Sequence, residues 1–285
     1  MTVAVLTMVY NEPEFVPIWV KYYGSIFPQE QLYIIDHGTD DGSLDHVGKV
    51  NIIRIPRTPK NNKQRSALIR HIVAGLLNYY KTVITVDVDE MLIPDPRHYK
   101  DLADFCENRT ESVVTSIGLN VVHLTASEAD YDSAHPVLAQ RKWAQFVSPM
   151  CKPSVVSKPV TFGDGFHGCT VPPAFQHLYM FHLRYFDLKC GLARLARTRA
   201  MEWWSPKAGS HQRVEDEQWI NSLNRYNTMK KGALLTTEAA DQQLEQLCQD
   251  FLSRMTPDAR GIYNHKPPVV GRNLIEIPES FSAHF

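Results

Sequence analysis

Residues 81–90 read KTVITVDVDE. The apolar, β-branched part of this stretch predicts a buried strand, which ends in three carboxylates, those of Asp87, Asp89 and Glu90. Strand alternation would place Asp87 and Asp89 on one face, about 6–7 Å apart. Carboxylates that close raise each other's pKa unless a cation neutralises them. Mg²⁺ or Mn²⁺ would do so, because both accept oxygen ligands; the alternative is a solvated acidic loop.

Upstream of this stretch, strand-like and helix-like segments alternate. Three further apolar runs, VAVLTMVY, QLYIID and VNIIRIP, predict strands. Apolar residues recur at helical spacing in residues 15–26 and 63–80, and Asn11 is placed to cap the first of these helices. The polar turn HGTDDGS, which follows the second strand, is expected to open a short helix. This order predicts a parallel sheet with helices on both faces.

Polar residues follow three of the four predicted strands. Asn11 and Glu12 follow the first strand, Asp36 and His37 the second, and the acidic cluster the fourth. The carboxyl ends of parallel strands meet at one edge of a sheet, where such folds bind their ligands. We therefore expect a binding site at this edge.

The pattern changes after residue 95. Strand-like pieces separated by turns predict a mixed region, and LKCGLARLARTRAMEWW and DQQLEQLCQDFLSRM predict helices. We expect an α/β fold in a single unit, residues 1–285, with no internal repeat or linker. Its expected parts are a nucleotide-binding half (1–95), an acceptor and metal half (96–200) and a helical C-terminal extension (201–285).

Composition excludes several classes of protein. A chain of 285 residues that is 44% hydrophobic can bury a large core, and a net charge of −1 gives no field that would attract nucleic acid. The five cysteines are scattered, which argues against a disulfide framework or a zinc site. No signal peptide or membrane span is evident in the sequence, so a cytoplasmic location is expected.

The segments TMVYNE, IIDHGTDDGS and TVDVDE resemble, in order and spacing, the family-2-like glycosyltransferases of the GT-A fold. The likeness is to the subgroup with YNE, DxxSxDG and DVDE motifs; it covers residues 1–95 and continues more weakly beyond them. It implies a metal-dependent transferase that moves a sugar from a nucleotide-diphosphate donor to a hydroxyl acceptor. A role in surface polysaccharide or glycan assembly would follow.

The resemblance also implies site residues. The metal, Mn²⁺ or Mg²⁺, would bind Asp89 and Asp87, with His182 of YMFHLRYF as a further ligand. His37 stands where relatives often carry Asp or Asn, which leaves the identity of the nucleotide open. The implied donor-binding residues are Val9, Glu12, Asp36, His37, Arg65, Asp87 and Val88.

An inverting transferase needs a general base to deprotonate the acceptor hydroxyl. Asp164, in the loop GDGFHG, is the first candidate, and Glu215, in RVEDEQW, is its rival. Glu128 and Asp130 come third. A retaining mechanism would need no such base, and the sequence leaves the two mechanisms open.

Basic residues cluster around one predicted helix, with Trp203 and Trp204 beyond it. They could bind a lipid-linked acceptor at the inner face of a membrane, or form a solvated surface. A non-catalytic sugar-nucleotide binder and a DxD phosphohydrolase are the rival functions. The basic residues of the cluster are Lys189, Arg194, Arg197 and Arg199.

Overall fold

The computed structural model describes residues 3–285, which form fourteen strands and seven α-helices. The strands are β1 (Val3–Val9), β2 (Leu32–Asp36), β3 (Asn51–Arg54), β4 (Thr82–Thr85), β5 (Glu90–Pro94), β6 (Val113–Thr115), β7 (Ile117–Val122), β8 (Trp143–Phe146), β9 (Pro153–Val156), β10 (Leu178–Tyr185), β11 (Lys231–Leu234), β12 (Thr256–Pro257), β13 (Tyr263–Asn264) and β14 (Leu274–Glu276). The helices are α1 (Phe15–Ile26), α2 (Asn62–Leu76), α3 (Leu102–Asn108), α4 (Val137–Gln140), α5 (Leu188–Ala200), α6 (Asp216–Asn224) and α7 (Glu238–Ser253).

The first sheet has six strands in the order β3-β2-β1-β4-β9-β6. The four strands nearest the N-terminus are parallel, β9 runs antiparallel to β4, and β6 runs antiparallel to β9. The predicted α/β fold with a mostly parallel sheet is therefore confirmed. Because β1, β2 and β4 are parallel, their carboxyl ends meet at one edge, as the sequence predicts.

Helices cover both faces of this sheet. Val3 and Val5 belong to the hydrophobic cluster that contains α1, whereas Ala4 and Leu6 belong to the cluster that contains Ile69 and Val73 of α2. This alternation along β1 follows from the two-residue period of a strand. Burial on both faces explains why β1, β2 and β4 read as nearly continuous apolar runs.

The second sheet is mixed, with the order β11-β14-β8-β7-β10-β5. β5 and β8 run antiparallel to their neighbours β10 and β7, while β7 and β10 are parallel. Apart from β5, its strands come from the mixed region predicted after residue 95 and from the segment that follows it. The segment 201–285, predicted as a helical extension, contains α6 and α7 but also contributes β11 and β14 to this sheet.

Two local predictions are wrong. Asn11 does not cap α1, because its φ is 52° and its side-chain amide hydrogen-bonds with Asp40 instead. The turn HGTDDGS opens no helix: Gly38 and Gly42 both have positive φ, which closes tight turns in residues 37–43. The loops that follow β1 and β2 are thereby joined at the edge where the predicted site lies.

No helix within residues 3–285 combines the length and the apolar character needed to cross a membrane. All five cysteines are free thiols, and four of them are buried.

Candidate functional site

The acidic stretch that opens the site is a turn. β4 ends at Thr85, the N–H of Glu90 donates to the carbonyl of Asp87 (3.0 Å), and β5 begins at Glu90. The carboxylate of Glu90 folds back to accept a hydrogen bond from the N–H of Asp87 (2.9 Å). The prediction that Asp87 and Asp89 alternate on one strand is therefore wrong. Tyr23 of α1 anchors the turn, since its hydroxyl donates to the carbonyl of Glu90 (3.0 Å).

Lys152 lies between two of the carboxylates. Its Nζ is 2.8 Å from Oδ2 of Asp87 and 2.5 Å from Oε1 of Glu90, and the side chains of Lys152 and Glu90 are both buried. Lys152 immediately precedes β9, which pairs with β4, so the sheet itself brings this lysine to the turn. Arg65 binds the other oxygen of Asp87. It stands in the first turn of α2, which Asn61 caps by accepting hydrogen bonds from two backbone N–H groups.

Arg194 of α5 joins the remaining two carboxylates. Its guanidinium is 2.8 Å from Oε1 of Glu12, binds Oδ2 of Asp89, and lies over the ring of Phe15. Burial raises the pKa of Glu12, whereas Arg194 together with His182 outweighs burial and holds the pKa of Asp89 well below its usual range. The second oxygen of Glu12, Oε2, is buried and has no hydrogen-bond partner among the described residues.

His182 also reaches Asp89. Its Nε2 is 3.2 Å from Oδ2 of Asp89, and its Nδ1 is 2.7 Å from Oδ1 of Asn120. Both ring nitrogens of His182 therefore have a hydrogen-bonding partner within the site.

Asp36 and His37, at the end of β2, make different contacts. Asp36 is buried and holds Arg54 (2.9 Å) and the N–H of Thr39 (2.7 Å). It does not line the cavity described below. His37 does; its Nδ1 is 3.0 Å from Arg57, and its Nε2 is 3.0 Å from the hydroxyl of Thr58 and accepts from the N–H of the same residue (3.2 Å). Burial and the charge of Arg57 lower the pKa of His37.

A cavity of about 540 Å³ opens at the carboxyl ends of β1 and β4. Among the predicted donor-binding and metal residues, Asp36 alone is absent from its wall. Arg57, Lys60, Lys152 and Arg184 were not among the predicted site residues, and Arg194 belongs to the basic cluster for which the sequence leaves open an acceptor site at a membrane or a solvated surface. The basic side chains that line the cavity are Arg57, Lys60, Arg65, Lys152, Arg184 and Arg194.

Of the candidate general bases, Asp164 alone lines this cavity. Asp164 lines it on an exposed loop and has no ion pair with a described residue, unlike the four carboxylates beside it. Glu215 is exposed at the start of α6 and lines a separate, shallow cavity. Asp130 is paired with Lys189 (2.7 Å), and Glu128 accepts from the N–H of Leu124 (2.8 Å).

The predicted metal ligands do not form a ready site. Among residues 3–285, two groups of three metal-ligating side chains have all their ligand atoms within 4.8 Å of one another, and neither includes Asp87, Asp89 or His182. Each of the four carboxylates at the site is also paired with at least one of three basic side chains, those of Arg65, Lys152 and Arg194. The two compact groups lie elsewhere: Asp95, His98 and His177, and His123, Asp130 and Asp187.

The predicted basic cluster on α5 is neutralised as well. Arg197 binds Glu14, Lys189 binds Asp130, and Arg199 binds Asp216, while Arg194 faces the cavity. A helix whose basic side chains are all paired offers little positive charge to a membrane surface. Trp203 packs against Lys60 and Arg213, and Trp204 is exposed.

No protein-family model matches this chain, and no curated protein does. Solved structures that share parts of its fold include a mannosyltransferase from Pyrobaculum calidifontis, described in complex with GDP-Man and Mn²⁺. That likeness has 16% identity, covers 43% of this chain and 35% of the other, and has a TM-score of 0.28. A mannose-1-phosphate geranyltransferase from Thermus thermophilus matches with 10% identity over 79% of this chain and 67% of its own, with a TM-score of 0.30.

The galactosyltransferase LgtC, described with donor and acceptor sugar analogues, matches with 13% identity over 46% of this chain and 55% of its own, with a TM-score of 0.23. The chain thus spans about a third of the mannosyltransferase and about half of the galactosyltransferase. Likenesses this weak say nothing about the chemistry of this chain.

Proposed function

We propose that this chain is a glycosyltransferase of the GT-A type, which transfers a sugar from a nucleoside-diphosphate donor to a hydroxyl acceptor. The observation that carries the proposal is the cavity at the carboxyl ends of β1 and β4, with six basic side chains in its wall. Sugar transfer places negative charge on the departing diphosphate, and cations fixed in advance stabilise that charge. The position of the cavity is where open α/β sheets bind nucleotides.

The wall after β1 suits the nucleoside part of the donor. Tyr10 lies there with the guanidinium of Arg57 stacked 3.6 Å from its ring centroid, and both line the cavity. Oε2 of Glu12 is a buried acceptor without a partner, and a ribose hydroxyl would satisfy it. His37 is occupied by Arg57 and Thr58, so we expect it to hold Arg57 in place rather than to contact the base.

We propose an inverting reaction in which Asp164 is the general base. The acceptor oxygen attacks the anomeric carbon, Asp164 takes the hydroxyl proton, and the bond from that carbon to the diphosphate oxygen breaks. Asp164 suits this role because it lines the cavity without an ion pair, so its oxygens are free to accept a proton. Glu215, which faces a different cavity, is the weaker candidate.

The predicted metal ion, acceptor, pathway and location have less support. A Mn²⁺ or Mg²⁺ ion at Asp87 and Asp89 would have to displace Arg65, Lys152 or Arg194, so no step of the proposed reaction passes through a metal. A glycan or lipid-linked acceptor and a role in polysaccharide assembly stay predictions, as does a cytoplasmic location at a membrane. The pairing of the basic residues on α5 gives no support to membrane contact.

Thermal unfolding with a panel of nucleoside diphosphates tests the donor site. We expect one nucleotide to raise the melting temperature, and the corresponding sugar nucleotide to be hydrolysed slowly without an acceptor. Binding without hydrolysis or transfer to any sugar acceptor would identify a non-catalytic binder. A phosphohydrolase would instead release phosphate from phosphate esters, although both aspartates of its motif are bound to cations here. If no nucleotide stabilises the chain, the proposal is wrong.

A further inference from the structure

We propose that nucleoside-diphosphate binding at this site needs no divalent metal, because basic side chains of the chain neutralise both the carboxylates and the phosphates. This inference rests on the proposed function. It departs from the resemblance, which implies a metal-dependent enzyme.

Asp87 is one of the predicted metal ligands. Its two oxygens are both taken, Oδ1 by Arg65 and Oδ2 by Lys152 (2.8 Å). The same Nζ of Lys152 is 2.5 Å from Glu90, so one ammonium group spans two carboxylates, as a metal ion would. Lys152 is only 4% exposed. A buried lysine between two buried carboxylates does not leave at low cost, because its departure would strand two charges away from water.

Asp89 is held in the same way. Arg194 spans Asp89 and Glu12, and His182 donates to the oxygen of Asp89 that Arg194 binds. Arg65, Lys152 and Arg194 thus bring three positive charges to the four carboxylates of the acidic cluster. A dication would enter a site whose negative charge is already largely neutralised, so its attraction to the carboxylates is weakened.

Three other basic side chains in the cavity wall have no carboxylate partner among the described residues. Arg57 donates to His37 (3.0 Å), Lys60 to Oε1 of Gln212 (3.1 Å), and Arg184 to the carbonyl of His211 (2.9 Å). Their charges are satisfied only by neutral groups, so they remain available for an anion. Three fixed cations match the charge of a diphosphate without help from a metal.

Calorimetric titration with UDP and with GDP tests the inference, on chain freed of metals and in two buffers, one with EDTA and one with Mn²⁺. We expect the preferred nucleotide to bind with the same affinity in both, within about threefold. Binding that requires Mn²⁺ would overturn the inference while leaving the proposed function intact. If neither nucleotide binds in either buffer, both fail.

Substitution of Lys60 tests whether this side chain supplies part of the positive charge that binds the phosphates. We expect Lys60→Ala to weaken nucleotide binding in EDTA about tenfold or more, because a charge-assisted hydrogen bond to phosphate is lost. Lys60→Arg, which keeps the charge, should restore most of the affinity. Lys189→Ala, at an exposed lysine outside the cavity, is the matched control and should bind normally. Equal affinity of Lys60→Ala and the control would count against the role of Lys60.

Direct measurement of metal binding gives an independent answer. The electron paramagnetic resonance signal of free Mn²⁺ disappears when the ion is bound, so titration of the ion with the chain, in the absence of nucleotide, reports its uptake by the protein. We expect the free-ion signal to persist when the chain is in excess. Loss of the signal that is abolished by Asp89→Asn would show that the carboxylates take up the ion, and the inference would then be wrong.

Discussion

Replacement of Lys152 by methionine removes one buried charge and keeps a side chain of similar length. In the wild type, its Nζ contacts Asp87 (2.8 Å) and Glu90 (2.5 Å), and Glu90 is fully buried. Asp87 keeps Arg65 as a partner after the substitution, whereas Glu90 keeps only its hydrogen bond from the N–H of Asp87. The variant therefore leaves Glu90 as an uncompensated carboxylate in the interior.

Removal of one partner from a buried ion pair costs about 3–5 kcal/mol. We expect Lys152→Met to lower the free energy of unfolding by about that amount at neutral pH, and the melting temperature by roughly 6–15 °C. Lys158→Met, at an exposed lysine just beyond β9, is the control and should change the free energy of unfolding by less than about 0.5 kcal/mol. Urea denaturation followed by circular dichroism measures both.

The loss should depend on pH with a defined sign. Burial raises the pKa of Glu90 and Lys152 lowers it, so removal of Lys152 raises that pKa further. A group whose pKa is higher in the folded chain contributes stability that is complete below its unfolded pKa and is lost as pH rises through the folded pKa. The destabilisation should therefore be larger at about pH 7.5 than at about pH 5, by about 1.4 kcal/mol for each pH unit over which only the folded chain keeps the proton.

The double variant Lys152→Met/Glu90→Gln separates charge from packing. A neutral amide in place of the carboxylate should recover about half or more of the lost stability, and the pH dependence should vanish. A loss of less than about 1 kcal/mol in Lys152→Met would show that the lysine does not neutralise a buried charge. So would a loss that is the same at both pH values, because packing alone would then explain it.

Three further predictions concern other parts of the chain. Asp164→Asn should reduce the turnover of sugar transfer about 100-fold or more without a change in nucleotide affinity, whereas Glu215→Gln should alter neither; steady-state kinetics and calorimetry check both. Gly118→Ala should lower the free energy of unfolding by about 1–3 kcal/mol, because the added Cβ would lie 2.5 Å from the backbone of the loop after β8. Gly75→Ala is the control: its Cβ would meet open space in α2, so the change should be neutral or stabilising. Urea denaturation measures both. Burial lowers the pKa of Lys60 to about 8, so nucleotide affinity should fall as pH rises above that value, and Lys60→Arg should abolish the fall in calorimetric titrations.

The first half of the fold could be predicted from the sequence because its signals are local and agree with one another. Each of the four parallel strands is an apolar run at the predicted position, and α2 begins within one residue of the predicted start. Parallel strands require their carboxyl ends to meet at one edge, so the position of the site followed from the strand order. The loops were harder, because Asn11 and the glycines after β2 adopt positive φ values that the sequence allows but does not require.

At residues 87–90 the local sequence pattern predicts the wrong secondary structure. The β-branched run and the alternating aspartates are consistent with a strand that continues to Glu90, yet the strand ends at Thr85. The turn is stabilised by groups distant in sequence, the hydroxyl of Tyr23 and the ammonium of Lys152. Tertiary contacts of this kind override strand propensity, and a pattern confined to ten residues does not contain them.

The neutralising cations were missed for a related reason. Two carboxylates that stand close together require a positive charge, but their sequence does not say whether a metal or a basic side chain supplies it. Lys152 stands 65 residues beyond Asp87, and Arg194 stands 105 residues beyond Asp89. Lys152 reaches the turn because β9 pairs with β4, and Arg194 does so because α5 follows β10, whose His182 also contacts Asp89. The same acidic motif can thus serve a metal-dependent or a metal-free site, depending on which basic side chains the strands and helices beside it supply.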